Sequence, residues 1–239
     1  MFALSAIWSF DTVTSTMDLA RPLIPCIHRG QVGLVIARHQ TAGRGRQGRS
    51  WLSTEGAFLA TYIIRIDEAS PDLSGFSLMV GLMLHRFLRS IGVTTAVKWP
   101  NDILSTDGKK LAGILIEVIP ASGGQAILCG IGCNLVMTQE ALPSSASVRD
   151  CGGVITRGEV IGGLTPILVE GTARFISDGF DHFKDEWMDN AFRFNGPVVI
   201  RSGQSTYAGL WRGLTSRGEL ILAGGEDGER IVTTGEVEG

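Results

Sequence analysis

The sequence predicts an α/β chain, of the α+β kind, that closes with a small all-β barrel. Three observations carry this. Strand-like and helix-like apolar patterns alternate over most of the chain; the composition shifts at Asn195-Gly196-Pro197; and four short strand-like runs with glycine-bearing turns follow. At 239 residues the chain has room for one large domain and a small one.

AIWSFDTV is the first strand. The MFALSAIWSF stretch ahead of Asp11 is apolar but too short to span a bilayer and carries no basic leader, so it reads as strand rather than signal peptide. Ser15, Thr16, Met17 and Asp18 have the spacing of a capping box, opening a short helix that Pro22 and Pro25 keep from extending. QVGLVIARH is a second strand, and AFLATYIIRI its alternating, antiparallel partner. From Leu73 to Leu88 apolar residues recur at helical spacing, the mark of a buried amphipathic helix. TAVKWP and DILST are short strands; Asp107-Gly108 turns the chain into KLAGILIEVIP, and AILCGIGCNLV is another buried strand. Two helices follow, roughly Gly158 to Ile176 and Phe180 to Phe194. Past residue 195, PVVIRSG, STYAGLWRGL, GELILAG and ERIVTTGEV suit a barrel of SH3 type, which sets the domains at 1–195 and 196–239.

Charge and cysteine usage narrow the function. The formal net charge is −3, so a broad basic surface is absent and nucleic acid is excluded as the main partner. Cys26, Cys129, Cys133 and Cys151 show no C-x-x-C spacing and no partnering histidines, which fits buried thiols in a reducing cytoplasm.

The basic residues that do stand out are local. GRGRQGRSW, Gly43 to Trp51, sets Arg44, Arg46 and Arg49 in a glycine-rich segment beside an aromatic ring. Glycine frees the backbone, and guanidinium forks suit carboxylate and phosphate oxygens, so the segment reads as a flexible anion clamp. Gly43, Gly45 and Gly48 match the dinucleotide-binding rhythm, but that motif requires a helix next, and the following WLSTEGAFLATYIIRI reads as strand. A P-loop lacks its closing Gly-Lys-Ser/Thr. The second signal is KWPNDILSTDGKKLAGILIE, Lys98 to Glu117. Asn101 and Asp102 fit either a turn bonding its own backbone or a ligand site, and Lys109 fits a solvated position. Lys110 begins an apolar run, where a strand projects it to one face as a point charge for a carboxylate or phosphate. Asp102 is a candidate magnesium ligand on a polyphosphate.

Together these residues resemble the biotin protein ligases. The resemblance runs through Ser15-Thr16, QTAGRGRQGRSW (Gln40 to Trp51), KWPND (Lys98 to Asp102), KLAGILIE (Lys110 to Glu117), GIGCNL (Gly130 to Leu135), LPSSASV, the DEW around Trp187, and the terminal PVVI, YAGLWRGLTSRGELIL and TTGEV. It spans nearly the whole chain in order. It implies a mixed-sheet catalytic domain shared with lipoate ligases, then the SH3-like tail. No helix-turn-helix segment precedes the catalytic part, so a ligase without operator binding is expected.

The implied chemistry has two steps: biotin's carboxylate attacks the α-phosphate of ATP, giving biotinyl-5′-AMP, and a carrier lysine then takes the biotinyl group. Both reactants of the first step are anionic, so cations must offset their repulsion. The resemblance assigns Lys110, Arg46 and Arg44 to catalysis. It assigns Ser15, Thr16, Met17, Gln40, Gly43, Arg44, Gly45, Arg46, Lys110 and Gly113 to biotin, and Arg44, Arg46, Arg49, Trp51, Asn101, Asp102, Lys110 and Asn134 to ATP, with Asp102 on Mg2+. Each also has a plainer reading: Ser15 as a helix cap, Gln40 as a strand end, Trp51 as core, Asn134 as a strand terminus. Many relatives carry asparagine where this chain has Met17, which removes an amide from the ureido end. The implied partner is the biotin carboxyl carrier domain of biotin-dependent carboxylases; no membrane is involved, and the chain acts as monomer or homodimer. Two rival readings are a lipoate or octanoate ligase of the same fold and a non-catalytic biotin- or carrier-binding paralogue.

Overall fold

The computed structural model describes residues 2–52, 55–67, 72–137, 143–224 and 228–238, so Leu142 of the LPSSASV motif lies outside the described residues. Strand β1 (Ala3–Val13) is followed by helix α1 (Thr16–Leu23) and a single 3-10 turn through Pro25, which carry the chain back to β2 (Gln31–Gln40). That crossover makes β1 and β2 parallel. β3 (Ala57–Ile66) returns antiparallel to β2 as expected. Further on come α2 (Phe76–Ser90), β4 (Thr95–Lys98), β5 (Asp102–Ser105), β6 (Lys110–Ala121) and β7 (Gly124–Asn134). The seven strands form one mixed sheet in the order β1-β2-β3-β7-β6-β5-β4.

β3 does not alternate as its sequence implied: all ten of its residues are buried. It lies between β2 and β7, with α1 packed over one face and the larger apolar cluster, including the helix that carries Thr165, over the other, so both sets of side chains face apolar layers. Helix α2 starts at Phe76 rather than Leu73, because Gly75 at φ 81 turns the chain sharply into it.

Two helix ends depart from expectation. Ser15 caps α1 by accepting from the Met17 N–H at 3.3 Å, but Asp18 does not reach back to complete a capping box; it pairs with Arg44 instead. The full box sits at α3 (Arg157–Asp178), where Thr156 and Glu159 bond reciprocally. Helix α4 (Asp181–Asp189) stops five residues short of Phe194. The chain there gives its hydrogen bonds to the edge of β4: Val97 N–H donates to the Asn190 carbonyl (3.0 Å) and Phe192 N–H to the Val97 carbonyl (2.8 Å).

The tail forms five strands rather than four: β8 (Pro197–Ser202), β9 (Ser205–Leu214), β10 (Leu220–Ala223), β11 (Glu229–Val232) and β12 (Glu236–Glu238). The expected last strand splits at Gly235, φ 148, so that β12 crosses to pair with β8. The order is β11-β10-β9-β8-β12, and because the edge strands β11 and β12 do not pair with each other this sheet stays open where a closed barrel was expected. Trp211 of β9 packs against Trp187 of α4 (ring centroids 5.9 Å) and Phe194 (5.7 Å). One apolar cluster therefore runs from the large sheet through α2 and α4 into the small one.

Candidate active site

The arginine segment is a loop folded back on itself. Gly45 N–H donates to the Arg49 carbonyl (2.7 Å) and Trp51 N–H to the Gly43 carbonyl (2.8 Å), with one 3-10 turn between. A β-carbon on Gly43 would stand 2.6 Å from the Trp51 carbonyl oxygen, so only glycine fits where the loop crosses itself. The flexible clamp foreseen from composition is thus a closed hairpin.

Beneath it lies a cavity of about 260 Å³, bounded by the loop, the start of α1, the KWPND turn and strands β6 and β7. One end is uncharged and polar. Gln40 Oε1 accepts from the Thr16 N–H (2.7 Å) and Thr16 Oγ1 (3.0 Å), and Thr61 Oγ1 donates to Thr16 Oγ1 (2.9 Å). Met17 forms the floor there, its thioether lying close against Gly130, where a β-carbon would stand 2.9 Å from Met17 Sδ. The other end is cationic. Lys110, at the start of β6, pairs with Asp102 Oδ1 at 2.7 Å, and its Nζ stands 5.6 Å from the centre of the Trp51 ring. That indole lies flat against the sheet, where a β-carbon on Gly132 would come within 2.5 Å of it. The Trp51 Nε1 is buried without a hydrogen-bond acceptor among the described residues.

The loop arginines already have internal partners, as Lys110 does. Arg46 donates to Asn101 Oδ1 (3.3 Å) and to the Gly235 carbonyl (3.5 Å); Arg49 pairs with Glu236; Arg44 pairs with Asp18 (2.8 Å) and Glu117 (3.4 Å) at the mouth. Burial lowers the Arg46 guanidinium below its ordinary value, with Glu236 and Asp102 acting against that shift. Burial likewise depresses Lys98, opposed by Asp102 and reinforced by Lys110.

Of the residues singled out in the sequence, Ser15, Thr16, Met17, Gln40, Arg44, Gly45, Arg46, Arg49, Trp51, Asn101, Asp102, Lys110 and Gly113 line this one cavity. Gly43 lies behind it as the loop crossing. Asn134 does not reach it: its amide donates to the Ala146 carbonyl (3.1 Å), and its own carbonyl accepts from Val148, tying the end of β7 to the next segment. Sequence reasoning missed Lys98, Trp99 and Pro100 as lining residues, and Gly130 and Gly132, although all sit inside motifs that it had marked. Glu236 and Val237, which reach the cavity from β12, lie in the terminal TTGEV stretch, which had been read only as part of the tail and not as site. Among the described residues no cluster of three or more His, Cys, Asp or Glu is placed to hold a metal.

Residues 9–134 match the family model described as the biotin/lipoate A/B protein ligase family. The biotin--[acetyl-CoA-carboxylase] ligase of Paracoccus denitrificans is 31% identical over 214 residues, covering 85% of this chain and 88% of that protein. The bifunctional ligase/repressor BirA of Escherichia coli is 33% identical over 196 residues, 78% of this chain and 60% of the longer relative. In fold, the biotin protein ligase of Aquifex aeolicus solved with biotin and ATP is similar at a TM-score of 0.78 and 24% identity, covering 98% of this chain and 97% of that one. The chain belongs to the biotin/lipoate A/B protein ligase family.

Proposed function

We propose that this chain condenses biotin with ATP to biotinyl-5′-AMP and passes the biotinyl group to a lysine of a carboxylase carrier domain. One observation carries the reading: Arg46 and Lys110 converge on one end of a cavity whose other end is lined by the uncharged hydrogen-bonding groups of Ser15, Thr16 and Gln40. A ureido head fits the Thr16–Gln40 end, and a carboxylate meeting a phosphate fits the Lys110–Arg46 end. A lipoyl or octanoyl chain would leave Thr16 and Gln40 facing hydrocarbon, which favours biotin over that alternative. Lys110 and Arg46 both face the cavity, which favours a catalyst over a binding-only paralogue.

In the first step a carboxylate oxygen bonds to the α-phosphorus and pyrophosphate leaves with the electron pair. Lys110 and Arg46 stabilise the charge that builds on the phosphoryl oxygens. The Trp51 indole packs against adenine and gives its unpaired N–H an acceptor there. A carrier amine then attacks the acyl carbon, and AMP leaves. The closed loop keeps water from the anhydride between the two steps. Asp102, a single carboxylate beside the cavity, fits Mg2+ only with phosphate oxygens and water completing the shell, and such an ion would neutralise the triphosphate. The biotin carboxyl carrier domain follows from the clients implied by the name of the Paracoccus relative. We read residues 1–195 as the catalytic unit and 196–239 as the appended sheet, working in a reducing cytoplasm consistent with four free cysteines. No helix among the described residues is long and apolar enough to cross a membrane.

The test is formation of the acyl adenylate by purified protein with ATP, Mg2+ and, in parallel, biotin, lipoate or octanoate. Biotin alone should release pyrophosphate and label a carrier lysine; no adenylate at saturating biotin overturns the reading. Lys110→Ala should slow adenylation by about a hundredfold or more while leaving the thermal midpoint nearly unchanged. Equal loss of fold and activity would make Lys110 structural.

A further inference from the structure

A second cavity, of about 380 Å³, lies between the large sheet and the tail. Arg46, Trp99, Pro100, Ile114 and Leu115 line both cavities, so the two meet along one wall. Beyond that wall the second cavity presents Arg217, Ser74, Ser77 and Glu219. Arg217 is held by a tight turn: Gly218 at φ 78 donates its N–H to the Thr215 carbonyl (2.9 Å), and the Gly218 carbonyl accepts from Trp99 Nε1 (3.0 Å). Its guanidinium pairs with Asp72 at 2.7 Å and donates to Ser74 Oγ at 3.3 Å. Both members of that ion pair are more than half exposed, at 60% and 52%, so the pair is weak and exchanges readily for a stronger acceptor. Glu219 is held aside by Thr215 Oγ1 at 3.0 Å.

Size makes this cavity relevant to the reaction. Pockets for drug-sized ligands begin at about 300 Å³. The main cavity, at about 260 Å³, is smaller than that, yet the proposed reaction asks for biotin and a nucleoside triphosphate together. The only charged side chain in the shared wall is Arg46. We propose that the second cavity receives the pyrophosphate end of the nucleotide, with Arg46 at the junction and Arg217 as its distal cation. This rests on the adenylate-forming reading above. When the carboxylate oxygen bonds to the α-phosphorus, the bond from that phosphorus to the bridging oxygen breaks. The electron pair leaves with pyrophosphate, which the second cavity then holds until it escapes.

The two half-reactions separate this role from a merely structural one. In Arg217→Ala, the ATP concentration giving half-maximal adenylation should rise about tenfold, the usual effect of losing one charge-assisted contact. The pyrophosphate concentration giving half-maximal reversal from biotinyl-AMP should rise alike. Transfer from preformed biotinyl-AMP to a carrier domain should change less than about twofold, and Arg217→Lys should recover part of the loss. Asp72→Asn, which frees Arg217 from its carboxylate, should leave both constants unchanged or lower them. The proposal is overturned if Arg217→Ala leaves both constants alone. Equal damage by the Asp72 and Arg217 variants to adenylation, transfer and stability also overturns it, since that marks a clamp between sheets. So does a loss confined to carrier transfer, since that marks a protein-docking surface. Failure of the wild-type protein to form any adenylate would instead remove the ligase reading beneath it.

Discussion

Asn101 shows how one residue changes meaning once its partners are known. In sequence it stood as a ligand for ATP or as a turn residue. In the structure its amide donates to the Ile114 carbonyl at 2.7 Å, and its oxygen accepts from Arg46 at 3.3 Å. With both side-chain groups engaged by the protein, it acts as a positioning residue for Arg46. Asn101→Ala should therefore lower the adenylation kcat about tenfold through misplacement of the guanidinium, and cost about 1–3 kcal/mol of stability by orphaning the Ile114 carbonyl. Stopped-flow adenylation beside urea unfolding checks both. The arginines and Lys110 were legible because each sits in a contiguous polar run inside apolar surroundings, a pattern that local sequence records. Glu236 was not legible, because its nearness to Arg49 exists only after the tail has folded over the loop.

At the scale of elements, α2 was read from its period to within three residues at the start, since a buried helix must repeat apolar residues with its turn. The end of α4 and the two-sided burial of β3 were not, because neighbours decide both: β4 competes for the backbone of residues 190–192, and helices cover both faces of the sheet. Helix α2 also carries His85, buried, with Nδ1 2.8 Å from Thr95 Oγ1 of β4 and Nε2 without a partner among the described residues. Burial holds its imidazole below the ordinary value of 6.5, only partly offset by Asn190. In the window just beneath 6.5 the unfolded chain binds a proton that the folded chain refuses, so stability rises with pH there and falls on acidification. Thermal midpoints taken between pH 7.5 and 5.5 should decline in the wild-type protein and decline less in His85→Gln. An unchanged slope in the variant would assign the acid sensitivity elsewhere.

For the whole molecule, the shift in composition near residue 195 was visible in the sequence, whereas the continuity of the core across it was not. Trp211 of the tail, 1% exposed, packs on Trp187 and Phe194 of the preceding segment, contacts between residues too distant in sequence to register in any local window. Trp211→Ala should cost about 3–5 kcal/mol, and the loss should appear as one shifted unfolding transition rather than the early melting of a separate tail. Two transitions in far-ultraviolet circular dichroism would contradict a shared core. Glu236, Asp102, Asp18 and Glu117 have a consequence at this scale as well. Because these carboxylates already pair with Arg44, Arg49 and Lys110, a ligand arriving at those groups exchanges one counter-charge for another rather than filling a bare positive field. Capture at those groups is then a substitution, less sensitive to ionic strength than entry into a bare positive field. Only a molecule long enough to displace several of these partners at once gains from entering.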